Sequence, residues 1–120
     1  MSPEKIDEIW RKGLKIKGMD PSFIRKDVCG AIILRQLFGD EKSDFGWNID
    51  YIYPLAKGGD ENMTNLRPMN VRNIASKGDD YPVYFGAVKA DGNVNKPNNT
   101  QYRVSEEIQK KLADLYGFSN

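Results

Sequence analysis

The segment from Phe45 to Lys77 constrains this chain more than any other, because its punctuation admits few backbone paths. It opens with an apolar, β-prone run, Trp47-Asn48-Ile49-Asp50-Tyr51-Ile52-Tyr53. Pro54 ends that run, since a strand interior cannot lose an amide donor. Gly58-Gly59-Asp60 then supplies a turn in which glycine is free to take positive φ. Thr64-Asn65-Leu66 leads into a second short extended piece. Asn70 to Lys77 reads as a helix, with Asn70 as its N-cap and Gly78 just past its end. Strand, turn, strand and helix together predict a ββα unit within residues 45–80.

The flanking segments predict a supporting shell. Ser2-Pro3 starts a helix whose apolar face carries Ile6, Ile9, Trp10 and Leu14. Lys15 to Ser22 is a loop that turns at Asp20-Pro21. Arg25 reads as a solvated or ion-paired arginine, and Cys29 as a small buried hydrophobe. Ala31 to Leu34 reads as a short strand followed by a turn of helix, and Trp47 as core. Tyr81, Val83, Tyr84, Phe85 and Val88 form an aromatic, β-prone run. Lys89 to Thr100, rich in Gly, Asn and Pro, reads as a flexible loop. Tyr102 to Val104 is a short strand, and Ser105 caps a last helix with Glu106 and Glu107 in its first turn. Ile108, Leu112, Leu115 and Tyr116 form that helix's apolar face, and Gly117 ends it. The expected fold class is α+β in a single domain: residues 1–44 as N-terminal helix and support, 45–80 as the ββα unit, and 81–120 as a C-terminal extension.

Composition removes several classes of function. No apolar run approaches the ~20 residues that span a bilayer, and no secretory signal is read at the N-terminus. A lone cysteine fits a reducing compartment, so the expected location is cytoplasmic, with no membrane partner. With no histidine in the chain, a Cys–His nucleophile pair is excluded. One cysteine also excludes a four-cysteine structural zinc. The net charge of +1 is not gathered into a basic tail, as a long duplex footprint would favour.

The segment resembles the HNH endonucleases, also called ββα-metal or His-Me finger nucleases. That family's pattern runs I-D-H-I-x-P, a glycine turn, N-L, and a helix carrying N or H three residues before a Lys. Here the matching positions are Ile49-Asp50-Tyr51-Ile52-Tyr53-Pro54, Gly58-Gly59, Asn65-Leu66, and Ile74 with Lys77. The resemblance extends upstream through Trp10, Lys12-Gly13, Arg25-Lys26-Asp27, Cys29-Gly30-Ala31 and Phe38-Gly39, and downstream to Tyr81-Pro82. It implies that Asp50 is a metal ligand and that Asn65 orients the base. It also implies that a local twist lets Asp50 and Tyr51 share one site, although strand alternation sends them to opposite faces.

Two departures decide what chemistry that resemblance can carry. The family's histidine base is Tyr51 here, and its second metal position is Ile74. Cleavage needs a divalent ion on the scissile phosphate and a base for the attacking water. Tyrosine ionises near pH 10, and moving that to neutrality requires about 4 kcal/mol of differential stabilisation. Isoleucine offers no donor atom, and Asp50 alone is a poor Mg²⁺ site. Asn73 lies ~100° around the helix from Ile74 and cannot replace it without a register shift.

The resemblance therefore implies an HNH-fold pseudonuclease. It would bind nucleic acid or a small phosphate-bearing nucleotide without efficient cleavage, through Lys57, Arg67, Arg72, Asn73 and Lys77. No cofactor is required in that reading, and such a protein fits a phage or mobile element. One alternative is an active endonuclease with Mg²⁺ or another divalent metal on Asp50 and with Tyr51 and Asn65 as catalytic residues. Another is a protein-interaction module with Tyr51, Tyr53, Tyr81, Tyr84 and Phe85 as aromatic anchors and a protein partner.

Overall fold

The computed structural model describes residues 1–119, which form a mixed α and β structure. Pro3–Trp10 is helix α1, entered through Ser2, whose Oγ accepts from the Lys5 amide at 3.2 Å. Strand β1 (Ile24–Lys26) pairs antiparallel with β2 (Ile32–Leu34), and a single 3₁₀ turn at Arg35–Leu37 follows. Strand β3 (Trp47–Tyr51) pairs antiparallel with β4 (Leu66–Asn70), with Trp47 opposite Asn70 and Asp50 opposite Arg67. Helix α2 (Val71–Lys77) begins directly at the end of β4, capped by the Asn70 side chain, which accepts from the Arg72 amide at 2.9 Å. The strand, turn, strand and helix order predicted for residues 45–80 is thus present.

The remaining elements pack around this unit. Strand β5 (Val83–Phe85) pairs with β8 (Gln101–Arg103), and β6 (Val88–Asp91) with β7 (Val94–Pro97), both antiparallel. Helix α3 (Glu106–Tyr116) is capped by Ser105 and ends at Gly117 in the left-handed region. No helix among the described residues is long and apolar enough to cross a membrane.

The β3–β4 ribbon separates two cores. On one side Ile9, Trp10, Ile33, Trp47 and Leu66 cluster, with the Trp47 ring 5.1 Å from Trp10 and 4.8 Å from Phe38. On the other, Cys29, Ile52, Met69, Tyr84, Val104 and Leu112 pack together. Alternating side chains of one two-stranded ribbon serve both cores, so β3 and β4 are covered on both faces.

Four expectations for these flanks are corrected. Helix α1 ends at Trp10, so Leu14 does not extend its apolar face. Leu14 instead bridges Lys26 in an extended conformation and is largely exposed. The cause is Arg25, which is buried rather than solvated: its guanidinium donates to the carbonyls of Pro21, Arg11 and Gly13 at 3.0–3.2 Å. These bonds require a non-helical path through Gly13, and a Cβ there would lie 3.0 Å from Arg25 Cδ. Lys89 to Thr100 is not a loop throughout, because it contains most of the β6–β7 hairpin. Gly92-Asn93 supplies its turn, with Gly92 at φ +65°. Asn95 pins the hairpin to the body by accepting from the Ile32 amide at 2.8 Å and donating to Ile32 and Asp44 carbonyls at 2.9 Å. Leu115 in α3 is exposed, whereas Gln109, Leu112 and Ala113 face inward.

Asp27 ties the shell to the ribbon. Its fully buried carboxylate accepts from the amides of Cys29 and Ala31 at 2.9 Å, from the Asn70 amide at 2.9 Å and from Asn73 Nδ2 at 3.0 Å. Burial pushes this carboxyl above its usual range, and the four donors oppose that shift. Asp27→Ala strands several buried donors at once, each costing about 1–3 kcal/mol, and is expected to destabilise the fold by about 3 kcal/mol or more. Urea unfolding of the variant measures this; a change below about 1 kcal/mol would contradict it.

Candidate functional site

Asp50 is buried, not on the surface: it lies on β3 with its side chain 5% exposed. Arg67, directly opposite on β4, donates from Nε to Asp50 Oδ2 at 2.7 Å. Lys77, in the last turn of α2, places Nζ 3.2 Å from Asp50 Oδ1 with its own side chain 1% exposed. Lys77 also donates to the carbonyls of Tyr51 at 3.1 Å and Ile52 at 3.2 Å. Arg67 Nη2 donates to the Tyr84 hydroxyl at 3.1 Å, and both cations lie over the Tyr84 ring. Burial alone would lower the Arg67 pKa, but Asp50 and Tyr84 hold it above its usual value. Burial likewise drives the Tyr84 hydroxyl up to about 12, so it remains protonated at neutral pH.

This arrangement does not fit a divalent ion on Asp50. Each carboxylate oxygen faces a fixed cation, and a metal ion placed there would add positive charge to a buried site that already holds two. Ile74 brings no donor. Among the described residues, no three His, Cys, Asp or Glu side chains converge on one point.

Tyr51 is separated from Asp50 by ordinary strand alternation, without the twist the resemblance implies. Its side chain lines an open cleft of about 610 Å³ with Asn48, Ile49, Val71, Arg72, Ile74, Ala75 and Glu41, and Asp50 is not among the lining residues. The positions expected for base and second ligand, Tyr51 and Ile74, therefore meet in one cleft, while the first ligand does not. Partial burial, and then the nearby Glu61 carboxylate, raise the Tyr51 pKa above the usual value. That is the wrong direction for a base at neutral pH.

Asn65 does not reach Tyr51. Its buried amide accepts from the Tyr53 amide at 2.7 Å and donates to the carbonyls of Tyr53 at 3.0 Å and Asp60 at 3.1 Å. It closes the glycine turn, where a Cβ on Gly59 would lie 1.9 Å from the Tyr53 carbonyl oxygen and 2.9 Å from Asn65 Nδ2. The five residues expected to meet phosphate divide sharply. Arg67 and Lys77 are buried on Asp50. Asn73 is buried too, donating to Asp27 and Val88 and accepting from the amides of Ala87 at 2.7 Å and Val88 at 2.9 Å. Only Lys57 and Arg72 are exposed: the Lys57 side chain makes no hydrogen bond or ion pair among the described residues, and Arg72 is paired with exposed Asp44 at 2.7 Å.

Sequence reasoning missed Asp27 and Tyr84 as partners of this region. Asp27 carried a local signal, because its carboxylate accepts from the amide two residues on, as in an Asx turn. Tyr84 carried none, since it meets Arg67 only through the tertiary fold. No protein-family model, curated protein or solved structure matches the chain.

Two outcomes test this geometry. Asp50→Ala leaves two buried cations without their carboxylate and is expected to cost about 3–5 kcal/mol in chemical unfolding. A neutral or stabilising effect would mean that the triad does not hold. The tyrosinate absorbance difference between the wild type and Tyr51→Phe is expected to titrate above pH ~10, and a midpoint near neutrality would restore Tyr51 as a base.

Proposed function

We propose that this chain is an HNH-like finger that has exchanged its metal for fixed cations and binds a nucleotide unit without cleaving it. The observation that carries the reading is the Asp50 carboxylate held between Arg67 and Lys77. Their two charges stand where the family resemblance asks for a divalent ion, so the ββα unit keeps its form without a Lewis acid. Tyr51, with a raised pKa, serves in the cleft as an aromatic surface rather than as a base. A nucleobase stacks on such a ring with about 1–3 kcal/mol per base. Arg72 lies on the same wall and exchanges Asp44 for a phosphate, and Lys57 is a second exposed cation, in the turn after β3. With few free cations, the footprint is a single nucleotide or a short single strand of nucleic acid.

A second reading rests on the cleft's apolar residues. Ile49, Val71, Ile74 and Ala75 would suit a side chain of a protein partner, with Tyr51 as the anchor.

Fluorescence anisotropy with short labelled DNA and RNA single strands, with Mg²⁺, Mn²⁺, Ni²⁺ or EDTA, separates these readings. The nucleotide reading predicts binding that falls about three- to sevenfold between about 50 and about 200 mM salt, as for one or two phosphates. Tyr51→Ala and Arg72→Ala each weaken it, and no metal produces cutting. Tyr51→His does not restore cutting, because Ile74 still has no donor and Asp50 stays between two cations. Metal-dependent cleavage by the wild type would overturn the proposal. Absence of any nucleotide binding would overturn it in favour of the protein partner.

A further inference from the structure

A second pocket, of about 380 Å³, lies between the segment after α1, strand β4 and helix α3, and shares no lining residue with the Tyr51 cleft. Its walls divide by chemistry. Leu14, Val28, Ile52, Leu66 and Ile108 are apolar, whereas Lys12, Arg67 and Lys111 are cationic. No acidic side chain lines it. The nearest carboxylates act from outside: Glu107 pairs with Lys111 at 3.3 Å on the exposed face of α3, and Glu8 influences Lys12.

Arg67 makes this more than an apolar dent. Its side chain is nine-tenths buried, with Nε committed to Asp50 and Nη2 to Tyr84. Nη1 donates to nothing among the described residues, yet it is not sealed from solvent. Arg67 lines the pocket, and it carries this uncommitted donor. Within the triad, one carboxylate serves two cations, so Arg67 keeps positive charge to offer. Lys12 stands beside it, donating to the carbonyls of Met63 and of Leu66, the latter at 2.7 Å, and burial lowers its pKa. A buried guanidinium, a lysine ammonium held on two backbone carbonyls and apolar walls together match one kind of ligand.

We infer that this pocket binds a small amphipathic anion, with its carboxylate or equivalent oxyanion on Arg67 and Lys12 and its apolar body against Leu14, Val28 and Ile108. The charged end replaces water at Nη1 with a charge-assisted hydrogen bond, and the tail removes apolar wall from water. Both ends are needed, which sets the test.

The ¹⁵N-labelled full chain is titrated at neutral pH with octanoate, with octanol and with acetate, and amide shifts are followed by NMR. Octanoate is expected to move the amides of Leu14, Val28, Thr64 and Ile108 saturably, and to bind at least about tenfold more tightly than either octanol or acetate. Leu14 supplies a variant pair that leaves the fold intact, because its side chain is 53% exposed. Both Leu14→Glu and Leu14→Lys remove the same apolar contact and differ only in the charge at the mouth, so octanoate is expected to bind Leu14→Lys at least about fivefold more tightly than Leu14→Glu. Octanol binding as tightly as octanoate would overturn the anion site. Shifts centred away from the pocket, no saturable shifts, or equal affinity of the two Leu14 variants would each overturn the proposal as well.

Discussion

One buried carboxylate between two buried cations organises this molecule. Asp50 comes from β3, Arg67 from β4 and Lys77 from the last turn of α2, so the triad joins the three elements of the ββα unit at one point. Ion pairs at this depth contribute little net stability against well-packed apolar residues, because desolvation offsets their attraction. Their effect is on arrangement, since each member is costly to bury without the others. Lys77 further donates to the carbonyls of Tyr51 and Ile52 where β3 ends, so the helix C-terminus and the strand are fixed to one another. The chain passes into its glycine turn from that point, and Asn65 holds the turn's exit to its entry.

The same triad separates two surfaces. Towards α2, alternation along β3 puts Tyr51 into an open cleft with Ile74 and Arg72. Towards α3, the outer edge of Arg67 reaches a second pocket floored by β4. An arginine here does two things a metal ion could not do. It neutralises Asp50 through one nitrogen, and its side chain also lines a different cavity. The planar guanidinium makes that division possible, and a lysine at position 67 would not reproduce it.

Much of this fold was legible in local chemistry. Pro54, Gly58, Asn70 and Gly78 delimit the strands and helix of residues 45–80, because each acts on the backbone next to it. Ser2 and Ser105 cap helices for the same reason. What escaped detection depends on partners distant in sequence. Arg25 shortens α1 by taking three carbonyls that no periodicity encodes. Asn95, which composition assigns to a loop, fixes a hairpin by bonding Ile32 and Asp44. Of the candidate site, the identities of Tyr51 and Ile74 already raised the question of catalysis. The fate of Asp50 was not legible, because a lone Asp reads alike as a metal ligand or as an ion-pair partner. Likewise, Arg67 and Lys77 read as surface cations until β4 and α2 turn them inward.

The central claim is that Arg67 and Lys77 close Asp50 to metal. Titration of the ¹⁵N-labelled protein with Mn²⁺ tests it most directly, because a paramagnetic ion broadens the amides nearest its binding site. The account predicts no selective broadening of Asp50, Tyr51, Arg67 or Ile74 at Mn²⁺ concentrations that leave the exposed acidic residues only weakly affected. Selective, saturable loss of those four amides would place a metal on Asp50 and contradict the account.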